Sequence, residues 1–249
     1  MNKSLPNKIK QEFMKLKTRG GRRKSEYFLC EGKRCCEEAM QYAKGDIFCH
    51  VVLDESDLKD EYQHEYVLLD KEIAELSLTE NPQGVLLLMR RPRQYDLLPS
   101  DLKPFVLVLD GIAEPGNMGT MLRTALSVGL SKIVLTSGTV DPYNAKAVRA
   151  GMGAQFRLDF VFVDSLASLA ESFAHNKFWL TSPRAEISLY DKDFDLSESF
   201  LVFGEEGDGI KDFSMGERVT IPMPGETESL NVAQAATLFL FEGVRRKLV

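Results

Sequence analysis

Leu109–Gly129 reads LDGIAEPGNMGTMLRTALSVG, and the run that leads into it, Phe105–Leu109, reads FVLVL. Five consecutive apolar residues of strand length mark a strand covered on both faces, as in a parallel sheet. Asp110-Gly111 and Glu114-Pro115-Gly116 then break the strand, and the pattern predicts a helix from near Asn117, a residue type favoured as a cap. Met118, Met121, Leu122, Ala125 and Leu126 recur at helical spacing as an apolar stripe, and Gly129 suits a left-handed stop. Asn117, Thr120 and Arg123, each three residues apart, share the opposite face. Helical side chains lean toward the N-terminus, which aims Arg123 back at the loop. A solvated arginine on an amphipathic helix is the other reading of that position.

Two later blocks repeat the design. LVFGEEGDGI (201–210) and IPMPGETESLNVAQAA (221–236) also place an apolar run ahead of small, turn-forming residues with a few polar side chains at the junction. Loops of this kind make sites when they gather at the carboxyl end of a parallel sheet.

Together the blocks resemble the SpoU (TrmH-type) RNA methyltransferases of the SPOUT class. The first motif of that family is matched by Asp110, Glu114, Pro115, Asn117, Gly119, Arg123, Thr124 and Ala125. The second is matched by Leu201, Val202, Gly204, Glu206, Gly207 and Gly209, and the third by Ile221, Pro222, Met223, Gly225, Ser229, Leu230, Asn231 and Val232. Ala233 departs from the pattern, since many members carry a second serine there. Three ordered motifs are far more specific than one glycine pattern. The resemblance implies transfer of a methyl group from S-adenosylmethionine to a ribose 2′-hydroxyl of structured RNA, on a fold whose C-terminal segment forms a trefoil knot. It also implies a homodimer that pairs catalytic domains.

The same resemblance suggests roles for individual residues. Gly204, Ile221 and Leu230 become the principal cofactor contacts, with Thr136, Gly138 and Met223 beside them. Glycines at 204, 207 and 209 would let backbone approach a ligand; Pro222 and Pro224 stiffen the last loop; Ile221 and Leu230 offer apolar surface to a flat ring. Arg123 takes the central catalytic place, with Asn117, Glu206, Ser229 and Asn231 holding loops, cofactor and ribose. Guanidinium groups stay protonated in proteins, so Arg123 is expected to orient the hydroxyl and stabilise developing negative charge. No carboxylate–histidine cluster suggests a metal.

The composition frames these expectations. The net charge is −6, but residues 1–24 carry nine basic side chains (from Lys3, Lys8, Lys10, Lys15 and Lys17 to Arg19, Arg22, Arg23 and Lys24) against the single acid Glu12. A basic arm on an acidic body suits contact with phosphates; a solvated charged tail is the alternative. Ile9, Phe13 and Leu16 stand at helical spacing, so part of the arm is expected to dock as a helix. No apolar run reaches membrane-spanning length and the start lacks a secretory core, so a cytoplasmic protein with no membrane partner is expected. Cys30, Cys35, Cys36 and Cys49 lack paired spacing and are expected to be buried thiols.

Two domains are expected. Residues 1–93 should form an α/β module, with strands at Tyr27–Cys30, Ile47–Leu53, Tyr66–Leu69 and Gly84–Met89 and helices at Lys33–Lys44 and Lys71–Leu76. FLCEGKR at Phe28 and NPQGVLLL at Asn81 resemble the ribosomal-protein-like substrate-binding module that precedes many SpoU domains. Residues 90–104 have linker composition. Residues 104–249 should form the catalytic domain, with strands at Phe105–Leu109, Lys132–Thr136, Leu158–Val163, Phe178–Thr181, Phe200–Phe203 and Val219–Pro222. Helices are expected near Asn117–Val128, Asn144–Met152, Leu166–His175 and Ser229–Leu248. This alternation implies a parallel sheet, while the absence of G-x-G-x-x-G and G-x-x-x-x-G-K-[ST] disfavours nicotinamide and P-loop enzymes. Ribosomal RNA is the expected substrate and transfer RNA the alternative; a catalytically silent RNA-binding assembly factor with the same fold is the competing reading.

Overall fold

A computed structural model describes residues 4–249; Lys3, which the sequence counts within the basic arm, lies outside the described residues. The chain divides into two compact units, one running to Arg93 and including Asp141–Arg157, the other made of Gln94–Val140 and Leu158–Val249.

The first unit is built on a four-stranded sheet. Its strands are β1 (Tyr27–Glu31), β2 (Ile47–Val52), β3 (Glu65–Val67) and β4 (Val85–Arg90), in the order β1-β4-β2-β3. β4 is antiparallel to both neighbours and β3 runs parallel to β2. Against it pack α1 (Asn7–Leu16), α3 (Lys33–Tyr42) and α4 (Asp70–Leu76), with a short α2 (Arg19–Lys24) between the first two. Ile9, Phe13 and Leu16 of α1 are buried in one cluster with Leu29, Val51, Ile73 and Leu88. Their spacing thus does what the sequence suggested: apolar burial anchors half of the basic arm. Lys8, Lys17, Arg19, Arg23 and Lys24 stay exposed. α2 lacks any apolar residue to give it a helical period; Thr18 caps it by accepting from Gly21 N at 3.0 Å.

The expected division at residues 93–104 and the compact units differ in one segment, Asp141–Arg157. Its helix α6 (Ala145–Gly151) belongs with β1. Phe28 and Tyr143 rings lie 4.7 Å apart, Arg91 makes a two-pronged pair with Asp141 at 3.0 and 2.6 Å, and Arg149 pairs with the buried Glu31. All four cysteines are buried free thiols.

The second unit contains a seven-stranded sheet in the order β7-β6-β5-β10-β8-β11-β9. The strands are β5 (Val106–Leu109), β6 (Lys132–Thr136), β7 (Asp159–Val163), β8 (Phe178–Thr181), β9 (Ile187–Ser188), β10 (Phe200–Phe203) and β11 (Glu217–Thr220). Every pairing is parallel, so all carboxyl ends share one edge. Val106, Val108, Val134, Phe200 and Val202 point to one face and pack with Leu166 and Leu169 of α7 (Leu166–Ser172). The other face is covered by α5 (Pro115–Ser127) and α8 (Val232–Arg245): Phe203 and Phe239 rings meet at 5.7 Å. Gly243 lets α8 approach closely, since a Cβ there would lie 2.9 Å from the Phe105 ring.

Among the boundaries that shift from the sequence reading, three bear on the site, each for a local reason. α5 begins at Pro115, whose fixed φ suits the first helical position, and Glu114 is the cap, accepting from Gly116 N. Asn117 is thereby released from capping. β11 ends at Thr220, so Ile221 and Pro222 enter the loop, as expected for a proline that cannot donate to a ladder. α8 starts at Val232 because Asn231 Oδ1 accepts from Ala233 N and Gln234 N at 2.9 and 3.3 Å, which leaves Ser229 and Leu230 outside the helix. The two-residue edge strand β9 is too short to show periodicity.

Candidate functional site

Among the loops that leave the carboxyl edge of the parallel sheet, four carry the expected site residues or their supports: 110–114 after β5, 137–139 after β6, 204–210 after β10 and 221–231 after β11. Glu206 ties the first to the third. Its carboxylate accepts from Ala113 N at 3.0 Å on Oε2, and from Glu114 N and Asn117 Nδ2, both at 3.1 Å, on Oε1. Partial burial pushes this carboxyl up, but the hydrogen bonds from Ala113, Asn117 and Glu114 outweigh it and hold Glu206 below the ordinary glutamate value. Asn117 passes the connection on: its Oδ1 accepts from Asn231 Nδ2 at 3.0 Å. Asn231, through its other carboxamide atom, caps α8. One chain of polar contacts therefore links the loop after β10, the start of α5 and the start of α8. Each amide has a fixed orientation, because its oxygen and nitrogen face different partners.

The remaining expected site residues lie on α5 and on the ends of, or the loops after, β6, β10 and β11. Arg123 lies on α5 six residues beyond Asn117 and is exposed. Thr120, between them on the same face, returns its hydroxyl to Gly116 O at 2.9 Å. Ser229 is exposed, Leu230 is 37% exposed, and Ile221 and Met223 are half-buried, all in the loop after β11. Thr136 is buried at the end of β6 and donates to Asp110 Oδ1 at 2.6 Å, so its side chain holds loops together. Gly138 turns the chain after β6 with φ +96°.

The glycines divide by cause. At Gly204 a Cβ would stand 2.4 Å from the Gly209 carbonyl carbon and 2.5 Å from Ile210 N. The side chain is absent there because the loop folds back on itself, closing through Gly209 N to Glu205 O at 2.9 Å; ligand approach is not the steric reason. At Gly138, Gly207, Gly209 and Gly225 a Cβ would meet nothing within 4 Å. Their backbone faces open space, on the loops after β6, β10 and β11, the last of which also carries the partly exposed apolar groups of Ile221, Met223 and Leu230. Bare backbone and apolar side chains on such loops are the composition of a small-molecule site, suited to a ligand with a flat ring and polar edges.

Two supporting residues were given no role from sequence. Asp110 receives Thr136, and Thr139 bridges Leu109 O and Gly111 N through its hydroxyl at 2.9 Å each. Asp110 was visible as a motif position. Thr139 carried no signal, since its partners lie on the neighbouring strand. Among the described residues no group of three or more His, Cys, Asp or Glu side chains could hold a metal ion.

Residues 104–241 match the SpoU rRNA Methylase family, and residues 7–87 match the MRM3-like substrate binding domain. The chain is 33% identical over 253 residues to the 23S rRNA (guanosine(2553)-2′-O)-methyltransferase RlmP of Bacillus subtilis, covering 96% of each. It is 31% identical to the 23S rRNA (guanosine-2′-O-)-methyltransferase RlmB of Escherichia coli K12, over 66% of this chain and 72% of that protein. A solved structure, the AdoMet-bound rRNA methyltransferase from Sinorhizobium meliloti, superposes with a TM-score of 0.81 at 26% identity, covering 99% of this chain and 97% of the other.

Proposed function

We propose, from the premise that this chain belongs to the SpoU rRNA methylase family, that it methylates a ribose 2′-hydroxyl of ribosomal RNA with S-adenosylmethionine as donor. The observation that carries the reading is the chain of contacts Glu206–Asn117–Asn231, which joins all three motif loops at one sheet edge. Ile221, Met223 and Leu230, with Gly138 and the open backbone of 204–210, would hold the cofactor, and Thr136 supports them through Asp110. When bound, the cofactor supplies a methyl group already activated on a sulfonium, so the protein has to orient the acceptor and assist loss of one proton.

Arg123 is the group that does so. Its guanidinium lies on the α5 face that also carries Asn117 and Thr120, free of the packed side of the helix. As a cation with five donors it orients the hydroxyl oxygen and stabilises the charge that grows there as the O–H bond breaks. The proton passes to an acceptor on the RNA or to water. Ser229 and Asn231 stand at the mouth of the same loops and position the ribose.

Residues 1–93 are read as the RNA-binding module, with exposed Lys8, Lys17, Arg19, Arg23 and Lys24 as its phosphate contacts, and residues 104–249 as the catalytic domain. The trefoil knot of the family is assigned to the C-terminal segment. A homodimer is assigned to α8: Leu238, Phe241 and Val244, three residues apart, are 41%, 50% and 40% exposed, and an apolar stripe on solvent is what a partner helix covers. No helix is long and apolar enough to cross a membrane among the described residues, and the enzyme is read as a cytoplasmic one. Calorimetry with S-adenosylmethionine, followed by transfer of tritiated methyl to ribosomal RNA, tests the reading. Binding without transfer would favour the silent assembly factor, and no binding at millimolar cofactor would remove the reading altogether.

A further inference from the structure

The first unit contains a cleft that the methyl-transfer reading leaves unused. It has a volume of about 250 Å³ and is formed where β1 passes into α3, where the loop before β4 turns, and where α6 ends. Its polar wall is held rigidly from behind. Glu31, only 3% exposed, takes Arg149 on Oε1 and receives Ser77 Oγ and Leu78 N on Oε2 at 2.8 and 3.1 Å. The buried carboxylate is thus fully used, and it fixes a guanidinium that remains one-third exposed on the cleft wall. Gln83 is fixed in the same way: its Oε1 accepts from Lys33 N at 2.9 Å, which leaves its NH₂ group with donors to offer. Arg34, exposed, completes the wall, with Asn81 beside it and Pro82 and Met152 as apolar surface.

We propose that this cleft receives one unstacked nucleotide of the substrate RNA, with a carbonyl-bearing base, guanine first. The proposal rests on the RNA substrate assigned above. The volume is below the roughly 300–1,000 Å³ of drug-sized pockets, enough for one base and not for an oligonucleotide. The wall presents mainly donors: two guanidinium groups and one carboxamide NH₂. Guanine offers them two acceptors, O6 and N7, on one edge, the pair that arginine reads bidentately; adenine offers one acceptor and one competing donor. Single-stranded RNA is recognised in this manner, by bases splayed out onto flat or apolar side chains and hydrogen-bonded at their edges. The Arg34 charge suits the attached phosphate.

The test uses the full chain, labelled with ¹⁵N, titrated with 5′-GMP, 5′-AMP or inorganic phosphate at matched ionic strength. The expected result is saturable shifts of the Gly32, Arg34, Gln83 and Arg149 amides with GMP, with AMP at least threefold weaker and phosphate without saturable effect at those positions. Equal response to AMP, the same shifts from phosphate alone, or no saturable shift would each overturn the assignment. Removing Arg149 would strand the buried Glu31, so the activity arm uses Arg34→Ala and Asn81→Ala, whose side chains are exposed. With unmethylated ribosomal RNA as acceptor, each should raise KM for RNA at least fivefold, with kcat and cofactor affinity unchanged. An unchanged KM in an active enzyme would refute the RNA role of the cleft. A wild-type chain that transfers no methyl would instead refute the proposed function, and the nucleotide titration would still decide the cleft.

Discussion

Replacing Glu206 by glutamine changes one oxygen to NH₂ at the point where the loops after β5 and β10 are joined. The carboxylate accepts three hydrogen bonds, from Ala113 N, Glu114 N and Asn117 Nδ2, at 3.0, 3.1 and 3.1 Å. An amide can face only one side of this set with its oxygen, so the NH₂ must oppose either Ala113 N or the Glu114–Asn117 pair. A hydrogen bond to a charged group contributes about 1.5–3 kcal/mol. Glu206 is exposed at its tip and water can replace part of what is lost, so the low end applies. Adding the donor–donor opposition gives a total of about 2 kcal/mol, roughly thirtyfold in an equilibrium constant. If these loops hold the cofactor, Glu206→Gln should weaken S-adenosylmethionine binding by about that factor, measured by calorimetry at neutral pH. The pH dependence has a defined sign. The carboxyl is held below the ordinary value of 4.5, so its contribution is complete above that value and is lost as pH falls through the lowered one. Cofactor affinity of the wild-type chain should therefore decline at acid pH, and that of Glu206→Gln should lack this component. Wild-type affinity and turnover in Glu206→Gln, within twofold, would refute the reasoning.

Three further outcomes are expected. Gly204→Ala places a Cβ 2.4 Å from the Gly209 carbonyl carbon, where only backbone can yield, so thermal unfolding should show a Tm lowered by several degrees with cofactor binding lost at the same time; a variant as stable as wild type would mean that the 204–210 loop is not closed as described. Leu238→Asp with Phe241→Asp should convert a dimer to a monomer of about 28 kDa in sedimentation, and an unchanged sedimentation coefficient would remove α8 from the interface. Deleting residues 1–24 would strip Ile9, Phe13 and Leu16 from the core, so the basic arm is better tested by changing Lys8, Lys17, Arg19, Arg23 and Lys24 to glutamine: RNA affinity should fall and its salt slope flatten, with cofactor affinity unchanged, while an unaltered slope would make these residues a solvated surface.

How far the sequence could be read follows from the range of each interaction. β5, β6 and β10 were legible because a strand buried on both faces must be apolar at every position, and Val106–Leu109 and Phe200–Phe203 are. α1 was legible because Ile9, Phe13 and Leu16 keep helical period. Glu206, Asn117 and Asn231 were each visible as motif positions, but their bonding to one another spans 89 and 114 residues of chain and leaves no local pattern. The reason for Gly204 is steric and internal to its loop, against Gly209 and Ile210, and depends on how the loop closes, which its residue types do not specify. In α8 the structure buries Ala233, Ala236, Phe239 and Leu240 and exposes Leu238, Phe241 and Val244, a division that helical period does not give, since it fixes the faces and not what lies against them. The packing of α6 on β1 likewise depends on pairs such as Glu31–Arg149, 118 residues apart.

If Arg123 and the loops joined by Glu206 methylate one ribose of ribosomal RNA, ribose-methylation mapping of total RNA from cells carrying the wild-type gene, lacking it, or carrying Arg123→Ala will show it. Loss of an oriented charged group from a reaction site costs about 3 kcal/mol or more, a hundredfold or greater in rate, while the cofactor loops remain intact. One 2′-O-methyl mark in ribosomal RNA should disappear on deletion and stay absent or nearly so with Arg123→Ala, although that variant still binds S-adenosylmethionine. An identical map in all three strains would refute this role for the protein.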